Sequence, residues 1–167
     1  MRLPTALTVF LIVLASVVVQ TTLINQLQFV TPDLVMLTAI LLALTRMRPE
    51  AVLGVAFVSG LLLDLLGSSL LGLRAIVLTV VAYVAIRTRE RAEIGRVGLA
   101  LWAGLLSFSG VVVLALVGTL FGQATLLGSD VVSRMFLVPI ANTILAAATA
   151  GAFVRLVDRD ATAFRFT

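Results

Sequence analysis

The chain contains no cysteine, no histidine and no lysine; all twelve of its basic residues are arginine. Without cysteine there is no disulfide framework and no thiolate chemistry. Without histidine the usual general base and the commonest metal ligand are missing. Without lysine, Schiff-base and lysine-base chemistry are excluded. Charge is scarce as well: 12% of the 167 residues are charged, against 61% hydrophobic. Soluble domains carry about 25% charged residues. A water-soluble chain of this size could not hide so much apolar surface. The composition therefore excludes a soluble enzyme, a disordered tail and a nucleic-acid-binding domain. No cofactor, metal or nucleic acid is expected, and the remaining classes are membrane scaffolding and transport.

What is present is apolar sequence, with a mean hydropathy of +1.21. Six stretches predict an all-α integral membrane protein, one six-span domain over 1–167. The spans are expected at about 5–24, 29–46, 50–66, 73–87, 97–121 and 131–157. The first is about 20 residues, the length that crosses a ~30 Å hydrocarbon core at ~1.5 Å per residue. A signal peptide is the alternative there, but no small-x-small cleavage site follows. Gln20 is its one strongly polar interior residue. Thr31-Pro32-Asp33 predicts a hydroxyl N-cap, a first-position proline and a first-turn acid for the second span. Gly67-Ser68-Ser69-Leu70-Leu71-Gly72 predicts a tight turn between the third and fourth, either two antiparallel spans or a re-entrant hairpin. The fifth span, with Gly98, Gly104, Gly110 and Gly118, predicts a loosely packed helix. Pro139 predicts a kink in the sixth.

The charges set the orientation. Arg2, Arg46, Arg48, Arg87, Arg89, Arg91, Arg96, Arg155, Arg159 and Arg165 all fall on one side of such a six-span layout, and segments 25–31, 67–72 and 122–129 hold no arginine. By the positive-inside rule both termini are expected in the cytoplasm, with the chain a multi-pass membrane protein.

Polar residues inside an apolar span are costly and mark the candidate sites. Asp64 precedes Gly67 by three residues and Arg74 follows Gly72 by two, so an ion pair between neighbouring helices is expected. It either fixes the hairpin or binds a partner or ligand. Asp64 continues the row Ala56, Gly60, spaced for close helix packing. Asp130 and Arg134 form a second candidate pair at i, i+4. Asn142, Ala146 and Ala150 form another small-residue row, either an internal packing face or a seam for another protein's helix.

Thr31-Pro32-Asp33-Leu34-Val35-Met36-Leu37, the run Gly54…Gly60-Leu61-Leu62-Leu63-Asp64-Leu65-Leu66, Leu71-Gly72-Leu73-Arg74-Ala75 and Tyr83 resemble the bacterial rod shape-determining protein MreD family. The resemblance implies a non-catalytic scaffold of the cell-elongation machinery, supporting rod shape and peptidoglycan synthesis in contact with membrane lipids. It implies a single-span MreC-type partner and, indirectly, MreB, RodA and a class B penicillin-binding protein. That family is similar in fold to the membrane substrate-binding subunits of energy-coupling-factor transporters, so a vitamin-type solute subunit is the alternative function.

Overall fold

The computed structural model describes residues 5–24, 32–67, 70–89, 95–122 and 129–162, all or nearly all of it helix. Helix α1 (Thr5–Val19) passes into a π-helical segment, Gln20–Ile24. There follow α2 (Leu34–Leu42), α3 (Pro49–Leu66), α4 (Leu73–Thr88), α5 (Gly95–Leu120) and α6 (Ser129–Thr162). Among the described residues three helices are long and apolar enough to cross a membrane, over Pro49–Leu66, Val97–Leu120 and Met135–Val157, and Ala6–Thr22 is a shorter apolar helix. Each helix but the second covers most of the apolar stretch in which it was expected, and α6 runs on to Thr162, past the expected 157.

That exception organises the fold. Of the second stretch, expected over 29–46, the residues described are 32–46, and among these the helix covers Leu34–Leu42. Nine residues make about 14 Å of helix, half a hydrocarbon core. Local hydrogen bonding stops it at both ends. Asp33, not Thr31, is the N-cap; it has φ −87° and ψ 91°, and its carboxylate accepts the Met36 N–H. Thr31 itself lies outside the described residues. At the other end, Ala43, Leu44 and Thr45 turn back by i→i−3 bonds onto Ile40, Leu41 and Leu42, and the Thr45 hydroxyl donates to the Leu42 carbonyl as well. Every residue from Val35 to Leu42 is buried. The short helix is the axis of the bundle and packs against all five others.

Two glycines of α5, Gly104 and Gly110, are packing positions, a correction to the loosely packed helix expected from the irregular glycine spacing. A Cβ on Gly110 would lie 2.9 Å from the Met36 sulfur and 3.0 Å from Val81. One on Gly104 would collide with the Thr143 hydroxyl of α6. Each glycine lets α5 approach a different neighbour, so no single repeat was to be expected. Helix α6 continues through Pro139.

One end of the bundle carries Arg46, Arg48, Arg87 and Arg89. The opposite end carries the α3–α4 turn. At the arginine-rich end the Trp102 indole N–H donates to Thr88 at 3.0 Å, tying α5 to α4. Arg87 donates to the Tyr83 hydroxyl at 3.2 Å and lies 5.4 Å above its ring.

Candidate functional site

A helix that begins inside a membrane exposes N–H groups where no water can satisfy them, each at a cost of several kcal/mol. The start of α2 presents such N–H groups among apolar helix segments. Its neighbours there are Ser107, about 15 Å along α5 from Val97, and Asn142, about 22 Å along α6 from Val157, both deep in apolar segments. Gln20 and the carboxylate of the N-cap Asp33 supply two of the missing acceptors, and α5 and α6 add bonds around them. Gln20, opening the π-helical segment, accepts the Leu34 N–H at 2.8 Å. Asp33 accepts the Met36 N–H through its carboxylate and the Leu37 N–H through its carbonyl, both at 2.9 Å. Asn142 donates to the same Asp33 carbonyl at 3.3 Å and to the Ser107 hydroxyl at 3.0 Å. Asn142 and Ser107 are fully buried. The wide π turn, a rare element inside helices, brings the Gln20 side chain round to α2. Nearby, the hydroxyls of Ser16 and Thr38 meet at 2.9 Å and join α1 to α2 along their length.

The second polar knot is the α3–α4 turn. The Asp64 carboxylate, 3% exposed, accepts the Gly72 N–H at 2.9 Å and the Arg74 N–H at 3.0 Å. These N–H groups belong to the start of α4, which has no side-chain cap of its own. Asp64 thus caps the next helix from across the hairpin, and its negative charge faces the positive end of the α4 dipole. Gly72 stands at φ +91°, a left-handed conformation that a side chain would strain. One turn below Asp64, a Cβ on Gly60 would lie 2.5 Å from the Ala75 Cα. The two backbones touch there.

The structure therefore brings Asp64 and Arg74 together, and the bond it shows uses the main-chain N–H of Arg74. The Arg74 side chain borders a small space also lined by Asp33, Met36 and Leu63, of about 10 Å³. That is room for roughly one water, and it links the two knots. Gly60 faces α4 within the chain, and Ala56 is buried. Asn142, Ala146 and Ala150 are buried inside the bundle. Both small-residue rows thus serve internal packing. Asp130 and Arg134 begin α6, and their side chains lie outside the described residues.

Two features went unanticipated. The capping role of Gln20 had a signal, since it is the one strongly polar residue in its run. The other, a groove of about 460 Å³ between α1 and α3, had none; its lining is apolar throughout, from Ala6 to Leu14 and from Met47 to Leu62.

Chemically, these knots hold helix ends. Their carboxylate, carboxamide and hydroxyl groups are turned to backbone N–H and C=O groups or to each other. Neither space gathers polar groups around a solute-sized volume: the small one holds about one water and the large one is apolar. Among known families, the model described as rod shape-determining protein MreD matches residues 1–157. No curated protein and no solved structure matches the chain.

Proposed function

The chain belongs to the rod shape-determining protein MreD family, and on that footing we propose that it is a non-catalytic membrane scaffold of the bacterial elongation machinery. A role in rod shape determination follows from the family. The finer reading is that it binds the transmembrane segment of an MreC-type single-span protein and, through that protein, supports peptidoglycan synthesis by RodA and a class B penicillin-binding protein beside MreB. The observation that carries the scaffold reading is the use made of the interior polar groups. Gln20, Asp33, Asp64, Ser107 and Asn142 all serve to hold helices in place, as a rigid docking body requires.

We place the chain in the cytoplasmic membrane with six crossings and both termini inside, on the arginine distribution. The second crossing is made by α2, which is buried among the other five helices, together with the residues that flank it. A kinship in fold with the membrane subunits of energy-coupling-factor transporters goes with this proposal as architecture alone. The test is recovery in mild detergent. The tagged chain should co-purify with a single-span protein bearing a domain on the far side of the membrane. A chain recovered always alone, with a bound vitamin-like solute, would overturn the scaffold reading.

A further inference from the structure

The groove between α1 and α3 has a shape and a charge distribution that specify an occupant. Both helices start at the arginine-rich end. On α1 the lining runs from Ala6 to Leu14, and on α3 from Ala51 to Leu62. At ~1.5 Å per residue these are walls of about 12 and 16 Å, the thickness of one leaflet of a ~30 Å hydrocarbon core. Leu14 and Leu62 are the last lining residues on the two walls, and past Leu14 the Ser16 hydroxyl meets Thr38 of α2 at 2.9 Å. Gly54 forms the recess: a Cβ there would meet nothing within 4 Å. Val9 and Val13 are buried, while Phe10, Leu14, Val58 and Leu62 are exposed along its sides. At the open end stands Met47, between Arg46 and Arg48, whose side chains are both exposed. Glu50 follows in the first turn of α3, where it complements the helix dipole.

We propose that this groove binds one anionic phospholipid, with an acyl chain lying along Gly54 between α1 and α3 and the headgroup phosphate held at the arginine-rich end by Arg48 and Arg46. The lining matches the reach of one acyl chain within one leaflet, whereas a partner's transmembrane helix would cross both and find its groove over only half its length. A free phosphate would find no use for the apolar walls. A lipid with one chain in the slot and its charge at the open end uses both parts, and basic pockets between membrane helices recognise anionic headgroups in this way. The inference goes beyond the scaffold proposal and rests only on the chain being embedded in a bilayer.

The experiment is lipid retention by the full chain, reconstituted into vesicles of equal parts phosphatidylglycerol and phosphatidylcholine, extracted into mild detergent and analysed by native mass spectrometry. Wild type should retain phosphatidylglycerol in preference to phosphatidylcholine, with an enrichment of about fivefold for each arginine engaged. Arg48→Gln should lose most of that preference while still retaining lipid. Gly54→Leu, whose side chain enters the open recess, should lose the retained lipid with unfolding behaviour unchanged. Val58→Phe, on an exposed wall of the groove, is the second blocking variant should the first not fold. Equal retention of the two lipids by wild type, or full retention by a folded blocking variant, overturns the proposal. So does a photo-crosslinker at position 58 that captures a protein segment from the native membrane instead of a lipid.

Discussion

Removing the Asp64 carboxylate isolates one joint of the bundle. In Asp64→Ala the Gly72 and Arg74 N–H groups lose their acceptor at the buried start of α4. A hydrogen bond to a charged group contributes about 1.5–3 kcal/mol. Two such bonds set the expected loss at about 3–6 kcal/mol, much of a domain's net stability. Asp64→Asn keeps one carbonyl acceptor and gives up the charge that faces the helix dipole, so its cost should be about 1–2 kcal/mol. Arg74→Gln keeps its own main-chain N–H, and with it both bonds shown at Asp64. Its cost should be at or below that of Asp64→Asn. The ranking is therefore Asp64→Ala far above Asp64→Asn, with Arg74→Gln lowest. Trp102 is the sole tryptophan and is 8% exposed, so its emission reports unfolding in an SDS titration from mild micelles. The reasoning fails if Arg74→Gln destabilises as much as Asp64→Ala. The guanidinium, not the main chain, would then be what Asp64 holds.

The two glycines of α3 should respond oppositely to alanine. Gly60→Ala places a methyl against the Ala75 backbone and should cost about 1–3 kcal/mol, whereas Gly54→Ala meets open space and should be neutral or gain up to ~1 kcal/mol, both read in the same titration. Asn142→Leu removes two interhelical bonds worth roughly 0.6 kcal/mol each in a membrane, but it also removes a buried Oδ1 that has no partner. A net loss under about 1.5 kcal/mol is expected, and a loss as large as that of Asp64→Ala would show that the Asn142 knot matters more than its bonds suggest. Reporter fusions at Ser69 and at Thr167 should read opposite sides of the membrane, with the C-terminal fusion cytoplasmic. An external reading there would invert the topology.

Much of this fold could be read from the residues because hydropathy and charge act at long range along the chain. The bounds of α3, α4 and α5 fall within two residues of the apolar runs, since arginines and glycines end those runs on both sides. The Asp64–Arg74 proximity followed from equal distances to one turn. Its chemistry did not, because a sequence displays the guanidinium and hides the N–H that the carboxylate accepts. The shortness of α2 was hidden for a related reason. Apolar residues such as Ala43 and Leu44 continue past its end, and what ends the helix is hydrogen bonding by Asp33 and Thr45 together with packing on all sides. The small rows through Gly60 and Asn142 announced close contact, but spacing cannot say whether the neighbour is in the same chain. The α1–α3 groove depends on how two helices splay, which no local pattern encodes.

The central claim, that the chain supports rod shape as a membrane scaffold, is tested most directly in a rod-shaped bacterium depleted of its own family member. Expression of the wild-type chain together with its single-span partner should restore rods, and Asp64→Ala, which loosens the hairpin, should leave the cells round. Cells that stay round although the wild-type chain is stably inserted in the membrane alongside that partner would contradict the account.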